Sequence, residues 1–176
     1  MSLSCPLECE WLQEAHRREK PVASGNELSY LDIDVTEEFI RSHEELLLFA
    51  VYSLVQAALR TPNAVDADVM AALAALIQTY RTLESGLVYE TWAENRIAAA
   101  VQRSFAASLA DYEKTRAERE HLSSYRNAEI LAILVFLHRL GLQNQNGRPR
   151  GRMYLDLLQQ MVPETGVAER APSIIL

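Results

Sequence analysis

An all-α fold, a compact bundle of about five helices in one domain, is what the sequence predicts, and three observations predict it. Ala, Leu, Glu, Arg and Gln, which lose little side-chain freedom in a helix, fill most of the middle of the chain, against only six Gly and six Pro. Apolar residues recur in steps of three and four over several long stretches. The 49% hydrophobic and 23% charged content is that of a chain able to bury a core, and 176 residues suffice for one such core but not for two.

The elements follow in order. Residues 5 to 20 read as a first helix, with Glu8 and Glu10 at its start, His16, Arg17, Arg18 and Lys20 at its end, and Pro21 and Gly25 closing it. Near 28–35, Leu31, Ile33 and Val35 alternate with Asp32 and Asp34, the period of a short extended segment; residues 1–35 are thus an N-terminal helix and linker. The core helices are expected over 36–162. The first starts at Asp34 or Thr36, where a side-chain oxygen can meet orphan backbone donors, and runs to Arg60 ahead of Pro62.

A second core helix opens after Asn63 or Asp66 and carries the stripe Val69, Leu73, Leu76, Tyr80 and Leu83. Gly86 followed by Leu87 is a helix stop in which glycine takes the left-handed conformation. Helix resumes near Thr91 with Ile97, Val101, Phe105, Leu109 and Tyr112 on one face, and the charged run Glu113 to Glu120 is expected to project into water. Ser123 or Ser124 is the expected cap of the next helix, with Gly141 and Leu142 as a second glycine stop. A polar loop from Gln143 to Gly151 leads to a short helix from about Arg152 to Met161, and residues 163–176 form an extended tail whose Ile174, Ile175 and Leu176 are expected to dock rather than float.

Two stretches, Leu46 to Leu59 and Ile130 to Leu137, are apolar on nearly every face. About five helices scarcely surround both, so a homo-oligomer, with a dimer favoured, is expected. Neither stretch reaches the ~20 uninterrupted apolar residues that span a bilayer, so no membrane role is expected. Cys5 and Cys9 offer no disulfide framework and the N-terminus no signal peptide, which together predict a soluble cytoplasmic protein.

Chemistry-bearing motifs are sparse. The chain has no Gly-rich phosphate loop, dinucleotide fingerprint or Gly-x-Ser-x-Gly elbow, and it names no nucleophile or base. His43-Glu44 begins like a helical zinc-protease motif, but Leu47 stands where the second imidazole is needed. Glu118 and His121 have the spacing of a shared helical metal ligand pair without the second pair that such bundles use. Cys5, Cys9 and His16 share a face but lack a fourth ligand, so no metal and no cofactor is expected.

Two clusters remain as candidates. Arg148, Arg150 and Arg152 alternate with Pro149 and Gly151, so that in an extended segment three guanidiniums could point one way as an anion or partner clamp. Residues 121–152 hold five arginines against one acid, although the whole chain carries a net charge of −7. Those arginines can pair with acids such as those of Thr36 to Glu45, within the fold or across a dimer, or bind an external phosphate. Tyr80, Tyr89 and Trp92, with Tyr112, flank the Gly86 turn and could line a small pocket.

Three functional classes are therefore expected in descending order. The first is a helical interaction or regulatory module, acting as a homo-oligomer with a protein partner and without chemistry of its own. The second is a binder of nucleic acid or a phosphate ligand through Arg148 to Arg152, which the overall acidity opposes. The third is a small-molecule binder or enzyme with an inter-helix pocket.

Overall fold

The structure, a computed structural model, describes Tyr30, residues 32–119 and residues 123–162. The chain divides into two compact units, Met1–Asp32 and Ile33–Leu176, and every helix below belongs to the second. The described residues form six helices and no strand: α1 (Glu37–Ser42), α2 (Glu44–Arg60), α3 (Asp66–Glu84), α4 (Arg96–Arg119), α5 (Asn127–Asn144) and α6 (Met153–Met161). The all-α bundle is as expected. The helix expected over 5 to 20 and the tail from 163 lie outside the described residues, as does most of the 28–35 segment. Within what is described of it, Ile33 and Val35 are half-buried while Asp32 and Asp34 are exposed, the alternation that the sequence shows.

Thr36 caps α1 as expected, its Oγ1 accepting the Phe39 N–H at 3.1 Å. The helix expected to run unbroken to Arg60 is interrupted at His43. Ser42 Oγ donates to the Phe39 carbonyl at 2.8 Å and His43 Nδ1 lies 2.9 Å from the same oxygen, so side chains compete there with the backbone ladder.

The start of α3 organises the bundle. Two acids of its first turn, Asp66 and Asp68, are 3% and 4% exposed. Asp68 Oδ2 accepts the Val65 N–H at 3.0 Å, closing the end of α3, and its Oδ1 accepts the amide of Asn95. Asn95 in turn caps α4, with Oδ1 taking the Ile97 N–H at 2.8 Å. Asp66 reaches α6, where its two oxygens accept the N–H groups of Tyr154 at 3.1 Å and Leu155 at 3.0 Å. One short stretch thereby satisfies orphan donors at three helix starts.

The Gly86 stop forms as expected. Gly86 has φ +77, its N–H donates to Leu83 O at 3.0 Å, and the Leu87 N–H donates to Thr82 O at 2.9 Å, the paired bonds of a glycine-terminated helix. Helix does not resume near Thr91, however. Thr79 Oγ1 accepts the Thr91 N–H at 2.9 Å, Thr82 Oγ1 donates to Tyr89 O at 2.9 Å, and the Gln102 amide binds both Thr91 O and the Ala93 N–H. Those side chains hold residues 87–94 non-helical along α3 and α4 until Asn95 can cap.

Two further expectations are corrected in α5. Ser123 and Ser124 do not cap it; the cap is Arg126, whose N–H donates to Glu129 Oε2 at 2.8 Å, so the reciprocal carboxylate outcompetes the hydroxyls. Gly141 does not stop it either, and α5 runs on to Asn144. A Cβ at Gly141 would lie 2.2 Å from Met70 Sδ and 3.0 Å from Tyr154 Cε1, so this glycine serves the close approach of α3 and α6 rather than a turn.

Helix α3 lies at the centre, packed most extensively on α5 and α4, while α2 packs on α4 and α6. Val69, Leu73 and Leu76 of the expected stripe are buried, as are Val101, Phe105 and Leu109 of α4. Every residue from Ile130 to Val135, and Leu137, is at most 7% exposed within the single chain. The argument that Ile130 to Leu137 needs a second chain to cover it therefore fails. On α2 the outer residues Leu48 and Leu59 do remain on the surface, at 37% and 55% exposure. Among the described residues, no helix is long and apolar enough to cross a membrane.

Candidate functional site

The arginine cluster is built on a turn, not on the extended strand that the alternation implied. Gly151 N–H donates to Arg148 O at 3.0 Å, closing Arg148-Pro149-Arg150-Gly151 with proline and glycine at the second and fourth places where such turns favour them. Asn146 Oδ1 accepts the Arg148 N–H at 3.1 Å, and Asp66 N–H donates to Gly151 O at 2.9 Å. The turn is thus tied on one side to the end of α5 and on the other to the same Asp66 that caps α6.

All three arginines line one open depression of about 500 Å³, with Asn144, Asp156 and Met153 on its rim. Arg152 is partly committed, since its Nη1 donates to Ala64 O at 3.2 Å. Arg148 and Arg150 are exposed, and among the described residues neither side chain makes a hydrogen bond or ion pair. Pairing with the acids of Thr36 to Glu45 inside the described fold does not occur; Glu37 pairs with Arg41 instead, and Glu45 accepts from Tyr112.

The aromatic cluster around Gly86 comes apart. Tyr89 is 67% exposed and Trp92 46%, the latter with the Arg103 guanidinium 5.6 Å from its ring. Tyr80 is half-buried, and burial with the nearby Glu113 carboxylate pushes its phenol up to about 12. Tyr112 lies elsewhere, stacked on Phe49 at 3.9 Å. The segment 87–94 lies spread along Thr79 and Thr82, which leaves no common wall for these rings.

A second, polar pocket of about 400 Å³ had no signature in the sequence. Ser42, His43 and Glu45 from the α1–α2 junction, Arg116 from the end of α4, and residues 123–126 with Glu129 from the start of α5 line this open pocket. Arg116 belongs to the run expected to project into water, yet its guanidinium sits 4.0 Å above the Tyr125 ring. Its Nε and Nη1 are buried and have no hydrogen-bond partner among the described residues.

Around it the acids are engaged. Glu129 Oε1 takes Arg126 Nη2 at 2.8 Å and lies 3.5 Å from His43 Nε2. Burial works to raise the Glu129 carboxyl, but the Arg126 N–H and guanidinium outweigh it and hold the group below its ordinary value. Glu45 Oε1 accepts the Tyr112 hydroxyl at 2.8 Å, and burial followed by that bond pushes the Tyr112 phenol well up. A phenol so raised is a hydrogen-bond donor at neutral pH and no base. The signal that could have placed this site is slight, because its residues come from three separated segments and Arg116 hides in a charged run.

Comparison with protein-family profiles, curated proteins and solved structures finds no significant match to this chain.

Proposed function

We propose that this chain is an interaction module that works as a homo-oligomer and engages an acidic protein surface through Arg148, Arg150 and Arg152. The observation that carries this reading is a pair of exposed guanidiniums, Arg148 and Arg150, unpaired among the described residues, on a turn whose backbone is already fixed by Asn146 and Asp66. A preordered turn loses little freedom on binding, and arginine forks match carboxylates in two-point contact. Met153, 55% exposed on the same depression, adds an apolar contact beside the charges. A second copy supplies matching chemistry, since Glu38 and Glu44 are exposed around the α1–α2 junction. Leu48 and Leu59, exposed on α2, are further area for such an assembly.

Light scattering at micromolar concentration and low salt tests it. The expected mass is about twice 19.9 kDa, falling to the single-chain value when Arg148, Arg150 and Arg152 are all changed to Ala. A wild-type monomer throughout overturns the homo-oligomer.

The excess of arginine over acid in residues 121–152 favours a second reading, in which the same turn holds phosphates of a nucleic acid or other phosphate ligand. Binding to mixed DNA and RNA that falls with salt and is lost in the triple variant supports that reading over the first.

A further inference from the structure

We propose that the pocket between the α1–α2 junction, the end of α4 and the start of α5 binds a small oxyanion, a carboxylate or phosphate group, on the guanidinium of Arg116. This stands apart from the arginine turn and does not depend on it. A guanidinium carries five N–H donors and no acceptor, so it can be satisfied only by acceptors. Two nitrogens of Arg116, Nε and Nη1, are out of water and without one. The side chain is held by a cation–π contact, its Cζ 4.0 Å from the centre of the Tyr125 ring. It is a fixed donor set with its acceptor missing.

The pocket's own carboxylates do not fill that place. Glu129 is taken by Arg126 and faces His43, and Glu45 accepts the Tyr112 hydroxyl. Ser123 and Ser124, whose hydroxyls can donate, line the same space. A cation would find both carboxylates already engaged and a guanidinium repelling it. An oxyanion finds Arg116 and two hydroxyls, and planar carboxylate or phosphate oxygens suit the guanidinium fork. Glu45 and Glu129 on the same wall restrict the occupant to low charge, which favours a single carboxylate or a singly charged phosphate over a polyanion.

The test is a titration of the intact chain with sodium acetate and with inorganic phosphate, each against sodium chloride at matched ionic strength. The readout is the Arg116 Nε–H resonance, assigned by its loss in R116M. That resonance is expected to move and saturate with acetate or phosphate and not with chloride, and the anion that saturates it at lower concentration identifies the group. The R148A/R150A double variant is expected to respond as wild type does. A resonance unmoved by both anions, a shift that chloride reproduces, or a response lost in R148A/R150A overturns the proposal. R116K, which keeps the charge and the alkyl stem but has no guanidinium Nε–H, assigns the resonance if R116M does not fold, and the wild-type and double-variant arms then decide the outcome.

Discussion

Asp66 and Arg116 each hold charged side-chain atoms out of water, and the fold treats them in opposite ways. Asp66, 3% exposed, has both oxygens bonded to backbone N–H groups at the start of α6, and its own N–H is bonded to Gly151. Arg116 has two buried nitrogens with no hydrogen-bond partner among the described residues. A buried polar group left unsatisfied costs about 1–3 kcal/mol, and more when it is charged, whereas a satisfied one stabilises. The first arrangement is what a structural tie looks like. The second is the arrangement on which the proposal of an oxyanion site rests.

That contrast breaks most readily at Asp66. D66A strands the N–H groups of Tyr154 and Leu155 in the interior and unties α6 from α3. A loss of about 3 kcal/mol is expected in urea unfolding, from two hydrogen bonds to a charged group. A loss under about 1 kcal/mol would mean that α6 holds its place without the tie.

A second buried group sharpens the comparison through pH. His138 is 6% exposed, and burial pulls its imidazole from 6.5 down to about 4. The folded chain therefore keeps it neutral while the unfolded chain takes up a proton below about pH 6.5. This contribution is complete above pH 6.5 and is lost as pH falls toward 4, at about 1.4 kcal/mol per pH unit for roughly 3.5 kcal/mol in all. Denaturation midpoints between pH 7 and 4 are expected to fall more steeply for wild type than for H138Q, and parallel profiles would rule His138 out as the cause.

The smallest effect is expected on the arginine turn. R148A/R150A removes two exposed side chains without side-chain partners, so stability changes by no more than ~0.5 kcal/mol. R152A, which loses the bond to Ala64 O, is expected to cost more, about 1 kcal/mol. Equal losses in thermal unfolding would show that Arg148 and Arg150 hold the fold too.

The helices were legible because their signals are local: the stripe from Val69 to Leu76, the Thr36 cap and the Gly86 stop each depend on neighbours within a turn or two. Where competing partners come from elsewhere in the chain, local signals mislead. Gly141 looks like a stop in sequence and is a contact with Met70 and Tyr154. Ser124 looks like a cap and loses to Glu129. The arginine turn was visible as a cluster, since its residues are consecutive, but its geometry came from Asp66 and Asn146. The Arg116 pocket joins three segments far apart in sequence, and nothing local marks one arginine of a charged run as the buried one.

The contrast between a satisfied and an unsatisfied buried charge is tested most directly by thermal unfolding of wild type and R116M, in sodium chloride and in matched acetate and phosphate. Without oxyanion, R116M is expected to be at least as stable as wild type, because an apolar side chain of similar length ends the desolvation cost. With oxyanion, only wild type is expected to gain. An R116M protein that melts several degrees below wild type in chloride, and gains as much from the oxyanions, would contradict the reading of Arg116 as a binding residue.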